Sequence, residues 1–249
     1  MRHAIEDVEY AEYLFDRFYG IGSCASGGVT RLGYTEVEDE MHRALCELGD
    51  EKGYGNFADQ VGNTYLYRSQ YSMDEPFWLV GSHLDSVIEG GRYDGVAGII
   101  AGLLVMGWAE RDGLDLPIRV GAMRCEESSN FQHCTVGSGL MTHALDLQGL
   151  QNVVSLEGEK LSDCLARHGY RGEVPVPEGI TRYIELHIEQ GGVLESQKKD
   201  IGVVRSIIAL RRYIVEFAGV ANHAGTTPMT LRNDALVKAA RFIMRVRQV

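Results

Sequence analysis

The chain is 249 residues long, enough to bury a sizeable core as one large domain or as a main domain with a smaller partner. Lysine and arginine total 24 against 35 acidic residues, a formal net charge of −11 with no basic cluster, which argues against nucleic acid and anionic membranes as partners. The five cysteines (Cys24, Cys46, Cys125, Cys134, Cys164) are odd in number, widely spaced and lack a C-x-x-C pair, the pattern of free thiols in a reducing, cytoplasmic compartment. The N-terminus carries acids throughout, and the longest apolar stretch, residues 96–109, is too short and glycine-rich to span a bilayer, so no export or membrane segment is expected.

Ile5, Val8, Leu14, Phe15 and Phe18 recur at helical spacing until Gly20, predicting a first amphipathic helix followed by a glycine-rich loop over 20–33. Thr35 opens a T-E-V-E capping-box pattern, with Val37, Met41, Leu45 and Leu48 on one face and Gly49 as a stop. Residues 64–68 and 77–81 read as strands, 96–110 as a buried helix and 118–123 as another strand. This order implies an α/β fold, a mixed or largely parallel sheet flanked by helices. Residues 137–146 and 160–167 read as helical, Pro175 and Pro177 break the chain, and 183–190 returns as a strand. From Ile201 to Val220 two alternating apolar segments predict strands, and 234–246 a closing helix. A domain boundary is expected near 206–212, dividing the chain into 1–208 and 209–249.

Four stretches carry chemistry. GSHLDSVIEGGRYDG, residues 81–95, follows the strand Phe77 to Val80, and the ends of such strands are where open α/β sheets place their sites. His83 and Asp85 share one face of an extended chain, and Asp94 is returned by the Gly90-Gly91 turn, together a credible metal half-site. Glu126 and Glu127 stand directly after the strand 118–123. Adjacent acids usually face solvent, but in a metallohydrolase one carboxylate binds metal while its neighbour shuttles a proton. In YIELHIEQ, residues 183–190, Glu185, His187 and Glu189 alternate with apolar residues; this is either a solvent-exposed edge face or a site, with His187 the best ligand. In NHAGTTP, residues 222–228, His223 sits in a loop where an imidazole suits a developing oxyanion, or has no role. No G-x-S-x-G, phosphate-loop or H-E-x-x-H pattern occurs.

Taken together, SHLDSVIEGGRYDG, EESSNF, ELHIEQGGVLE and NHAGTTPM resemble the amidase/hydantoinase/carbamoylase family: N-carbamoyl-L-amino acid hydrolases, β-ureidopropionases and allantoate amidohydrolases. The resemblance runs from about residue 80 to the end of the chain. It implies a zinc-exopeptidase-like catalytic domain with the start of a lid or dimerisation domain, and two divalent ions, zinc first, with manganese, cobalt or nickel as alternatives. Asp94 would bridge the ions, His83 and His187 would hold one, and Glu127 the other. Glu126 would be the general acid/base, Asp85 the partner of His83, and Gln190, Asn222 and His223 the substrate contacts. His223 would serve the neighbouring subunit of a homodimer acting on a small ureido or carbamoyl acid. Two features depart from the family pattern. Ser128 and Asn130 stand where relatives carry glycine and arginine, and relatives extend well beyond residue 249, with a final metal-ligating histidine, so a truncated form is expected. A peptidase or deacylase of the same superfamily, and an inactive remnant that only binds metal, are the alternative readings.

Overall fold

The two helices expected from hydrophobic spacing open the computed structural model: α1 (Arg2–Tyr19) and α2 (Glu36–Glu51). The structure describes residues 2–72, 74–172, 178–208 and 213–247, so the break expected at Pro175 and Pro177 lies outside the described residues. The chain divides into two compact units, Met1–Gly192 and Val193–Val249; of the boundary expected at 206–212, residues 209–212 are likewise outside the described residues.

Five strands form the sheet of the first unit: β1 (Tyr54–Ala58), β2 (Thr64–Arg68), β3 (Phe77–His83), β4 (Ile118–Met123) and β5 (Ile180–Ile184), in the spatial order β1-β2-β4-β3-β5. β1 and β2 pair antiparallel, as do β2 and β4, whereas β3 is parallel to both β4 and β5, so the sheet is mixed. The helix α3 (Val96–Arg111) connects β3 to β4, the crossover that parallel neighbours require. It is apolar nearly all round because it is buried: Val96, Ile99, Ile100, Leu103 and Met106 pack with Leu14 and Phe18 of α1, Met41, Leu45 and Leu48 of α2, and Val80 and Val120 of the sheet. A second cluster, built on Tyr34, Val61, Phe131, Val136, Leu140, Leu161 and Leu165, buries Cys125 immediately after β4.

The parallel pairing is what gathers the chemistry. His83 is opposite Met123, and Val80 is opposite Ile184, so β3, β4 and β5 all deliver their following residues to one end of the sheet.

Several expectations need correction. β1 was not foreseen, because YGNFA holds a glycine and an asparagine and pairs on one side only, with β2. The last strand of the first unit is Ile180–Ile184 and not 183–190: the chain leaves β3 at Glu185 and crosses the start of α3, where Gly98 leaves room for the Leu186 carbonyl, 2.5 Å from where a Cβ would stand. The helix expected over 137–146 is α4 (Val136–Met141), cut short where His143 takes a left-handed φ of 58°. α5 (Leu161–Arg167) agrees with its expectation. α2 begins after Thr35 as expected, but the capping box does not form: the Thr35 side chain makes no cap bond and its hydroxyl donates to the Leu32 carbonyl, while the Glu38 side chain turns inward.

The second unit holds α6 (Val193–Ser196), a 3-10 turn at Met229–Leu231 and α7 (Ala235–Val246). Asp234 caps α7, accepting from the Leu236 and Val237 N–H groups at 2.9 and 3.1 Å. The strands expected within 201–220 are absent among the described residues; the β-branched residues are there, but no described segment forms a ladder with them. Among the described residues no helix is long and apolar enough to cross a membrane.

Candidate metal and acid/base site

His83, the last residue of β3, is almost wholly buried, and its position is fixed from behind. Nδ1 lies 3.1 Å from the Asp85 carbonyl and 3.4 Å from Asp85 Oδ1, both acceptors only, so Nδ1 carries the proton and Nε2 of the neutral ring is bare. His187 is arranged in the same way: Nδ1 donates to the Ile188 carbonyl at 2.9 Å, which leaves its Nε2 bare too. The two Nε2 atoms face each other at 3.4 Å.

Asp94 completes the group. Its Oδ1 stands 3.2 Å from His187 Nε2 and 3.8 Å from His83 Nε2, and Gln190 Nε2 donates to its Oδ2 at 2.7 Å. Among the described residues Oδ1 is buried and receives no hydrogen bond. Gly95 makes this approach possible: its φ is +67°, and a Cβ there would lie 2.5 Å from the His83 carbonyl and 2.6 Å from the His83 ring.

With both rings neutral, three electron-pair donors therefore converge, an arrangement that suits a cation. A divalent metal ion fits: the ligand atoms of His83, Asp94 and His187 all lie within 4.8 Å of one another, and so do those of His83, Glu126 and Glu127. Glu126 Oε2 is 3.9 Å from His83 Nε2.

Asp85 has a larger task than steadying an imidazole. Its Oδ1 accepts the Glu126 N–H at 3.0 Å and its Oδ2 the Glu127 N–H at 2.9 Å, so one buried carboxylate ties the end of β3 to the turn after β4. The sequence offered no sign of this, nor of the residues behind the turn, Glu38, Asn63 and Arg124, all of them buried.

Electrostatics agree with the geometry. Burial alone would hold the His83 ring neutral, but Asp85, Glu126 and Asp94 together outweigh it and raise the imidazole to about 9. Burial, opposed by His83 and reinforced by Glu126, Asp85 and Asp94, lifts the Glu127 carboxyl to about 7. Glu126 is raised as well, first by burial. In the metal-free chain, protons thus occupy the place where a cation is wanted. Because both groups hold their protons above their ordinary values, metal uptake at neutral pH is expected to release protons, and affinity to rise as pH climbs from about 7 to about 9. Zinc titration in a pH-stat checks this; uptake without proton release would mean that the ion sits elsewhere.

Asn222 and His223 belong to the second unit, and both are exposed. The Gly225 and Thr226 N–H groups donate to His223 Nδ1 at 3.1 and 3.2 Å, which puts the proton of the neutral ring on Nε2. Asn130, where the family pattern has arginine, is buried: its amide donates to the Gly33 carbonyl at 2.8 Å, and its Oδ1 accepts the Leu156 N–H at 3.3 Å.

The sequence profile of peptidase family M20/M25/M40 matches residues 79–247. The N-carbamoyl-L-amino acid amidohydrolase of Geobacillus stearothermophilus is 34% identical over 235 residues, covering 92% of this chain and 57% of that protein. The allantoate amidohydrolase of Bacillus subtilis is 35% identical over 241 residues, covering 95% of this chain and 58% of that protein. The chain thus spans somewhat more than half the length of these curated relatives. Among solved structures, a hydantoinase/carbamoylase family amidase from Burkholderia ambifaria superimposes with a TM-score of 0.78 at 31% identity, over 96% of this chain and 60% of that one. Another from Burkholderia multivorans gives a TM-score of 0.80 at 31% identity, over 96% and 59%. The chain belongs to peptidase family M20/M25/M40, on the side of it where the hydantoinase/carbamoylase amidases lie.

Proposed function

We propose that this chain carries the metal centre and the proton shuttle of an amidohydrolase that cleaves the C–N bond of a carbamoyl or ureido group on an amino-acid-like acid. The observation that carries the reading is the buried Asp94 Oδ1, without a hydrogen-bond donor among the described residues, facing the Nε2 atoms of two imidazoles whose Nδ1 atoms are engaged by backbone carbonyls, beside a pair of raised glutamates. Two divalent ions, zinc first for an imidazole and carboxylate set and manganese, cobalt or nickel otherwise, supply Lewis acidity to the scissile carbonyl and acidity to water when bound. His83, His187 and Asp94 would hold one, and Asp94 and Glu127 the other.

Glu126 is the general acid/base: it takes a proton from the attacking water as the new C–O bond forms and returns it to the nitrogen as the C–N bond breaks. A carboxyl raised by burial suits both halves of that task. Gln190, already oriented by Asp94, offers its Oε1 to a substrate N–H. His223, with its proton on Nε2, suits donation to the oxyanion, beside Asn222; by resemblance it acts in the site of a neighbouring copy, which makes the active form a homodimer.

The names of the curated relatives support ureido-type substrates, N-carbamoyl-L-amino acids and allantoate. A peptidase is the second reading, favoured by the description of the family itself. Zinc- or manganese-loaded protein offered N-carbamoyl-L-amino acids, allantoate and dipeptides separates the two. Turnover of the first two and not of dipeptides is expected; dipeptide cleavage alone would transfer the protein to the peptidases.

A further inference from the structure

The turn that presents Glu126 and Glu127 has an unusual backbone. Cys125 takes a left-handed φ of 49°, a conformation that crowds the Cβ of any residue other than glycine. Something must hold it there, and the hydrogen bonds identify what. The carbonyls of Arg124, Cys125 and Glu126 accept from the N–H groups of Gly137, Val136 and Thr135 at 3.0, 3.0 and 2.7 Å. On the other side, four successive N–H groups each point at a side-chain oxygen. Arg124 donates to Asn63 Oδ1 at 2.9 Å, Cys125 to Glu38 Oε1 at 2.8 Å, and Glu126 and Glu127 to Asp85.

Glu38 is the central member of that set. It lies in the first turn of α2, is fully buried, and uses both oxygens: Oε1 holds Cys125, while Oε2 accepts the Tyr34 N–H at 2.5 Å and the Arg124 guanidinium at 3.0 Å. Arg124 in turn reaches Asp39 Oδ1 at 2.6 Å and the Gly62 carbonyl at 3.1 Å. A nearly fully buried ion pair with these connections constrains α2, the loop before β2 and the turn after β4 together.

We infer that Glu38, paired with Arg124, is a positioning residue: by fixing the Cys125 N–H it aims Glu127 at the second ion and Glu126 at the reacting atoms. The inference rests on the two-ion reading of the site. Its distinguishing consequence is selectivity. His83, Asp94 and His187 reach their places without Glu38, so the ion they hold is indifferent to it, whereas the ion that needs Glu127 depends on it.

The test is zinc binding by the full chain, with two dissociation constants measured by competition against a chelator. In Glu38→Gln one amide oxygen must serve two N–H groups, and Arg124 keeps Asp39 but loses its fully buried counter-charge. The tighter constant is expected to stay within about 3-fold of wild type and the weaker to rise about 10- to 100-fold, the usual consequence of losing a partner that orients a ligand. Should Glu38→Gln fail to fold, Glu38→Gln/Arg124→Met removes the buried cation left with Asp39 alone and is expected to give the same split. An unchanged weaker constant in a folded variant, or a parallel loss in both, overturns the role of Glu38 while leaving the metal site standing. A wild-type chain that takes up fewer than two ions overturns the two-ion reading and this inference with it.

Discussion

Glu126→Gln is expected to keep its metal and lose about two to four orders of magnitude in turnover of an N-carbamoyl amino acid, the range in which a positioned general acid/base contributes. The amide preserves shape and cannot accept the proton of the attacking water. Its backbone anchor is untouched, because Asp85 Oδ1 bonds the Glu126 N–H and not the side chain. The glutamate is suited to the task by burial, which raises it; His83 pulls the other way, while Asp85 and Glu185 add to the rise. Glu185 itself is fixed at the mouth of the site, accepting from Ser82 Oγ at 2.6 Å and Tyr183 Oη at 2.7 Å. Elemental analysis and steady-state kinetics on the same preparation decide the matter. Near wild-type turnover in Glu126→Gln, together with retained metal in Glu127→Gln, would remove the division of labour between the pair.

What could be read from residues alone follows the range of the forces involved. Short-range signals worked well: the apolar run before His83 is β3, the apolar block after Asp94 is α3, and Thr64–Arg68 is β2. Two of the four chemical stretches were attached to strand ends, and parallel pairing brings those ends together, which is why His83, Asp94, Glu126, Glu127 and His187 converge although more than a hundred residues separate the first from the last. The geometry of YIELHIEQ was misjudged because alternation describes a strand equally well whether or not a partner is present. Past Val80 and Ile184 the ladder between β3 and β5 ends, and His187 reaches Asp94 from irregular chain.

The support behind the site was illegible for a different reason. Glu38 stands three residues after a threonine, which is the capping-box spacing, and the local rule assigned its carboxylate to its own helix terminus. The competing demand, an unpaired N–H on Cys125, comes from a residue 87 positions away and exists only after β4 has docked. Asn63 and Asp85 are similar: each accepts from backbone that folding alone brings near. Such acceptors leave no pattern in one sequence, since their partners are peptide groups that every residue possesses.

Asp94→Ala and Asp85→Ala should fail in opposite ways, although the two carboxylates are nine positions apart and both lie against His83. Asp94 Oδ1 is buried without a hydrogen-bond donor, and its charge acts in two opposed directions in the metal-free chain, favouring a protonated His83 and opposing an ionised Glu127. With these effects offsetting, its removal is expected to leave the melting temperature of metal-free protein close to that of wild type, and to cost more than about 100-fold in zinc affinity, beyond the range of an orienting partner. The rise in melting temperature that added zinc gives wild type should vanish with it, because that rise scales with affinity for the folded state. Asp85→Ala strands the N–H groups of Glu126 and Glu127, each worth about 1–3 kcal/mol when left buried and unpaired, and frees the His83 ring to turn. Metal-free Asp85→Ala is therefore expected to melt well below wild type, while zinc affinity falls by only about 10- to 100-fold and added zinc still stabilises it. Thermal melts with and without zinc, on both variants, read all four quantities. If Asp94→Ala were destabilised without metal and still stabilised by zinc as strongly as wild type, Asp94 would be a structural carboxylate, and the convergence of His83 and His187 upon it would need another explanation.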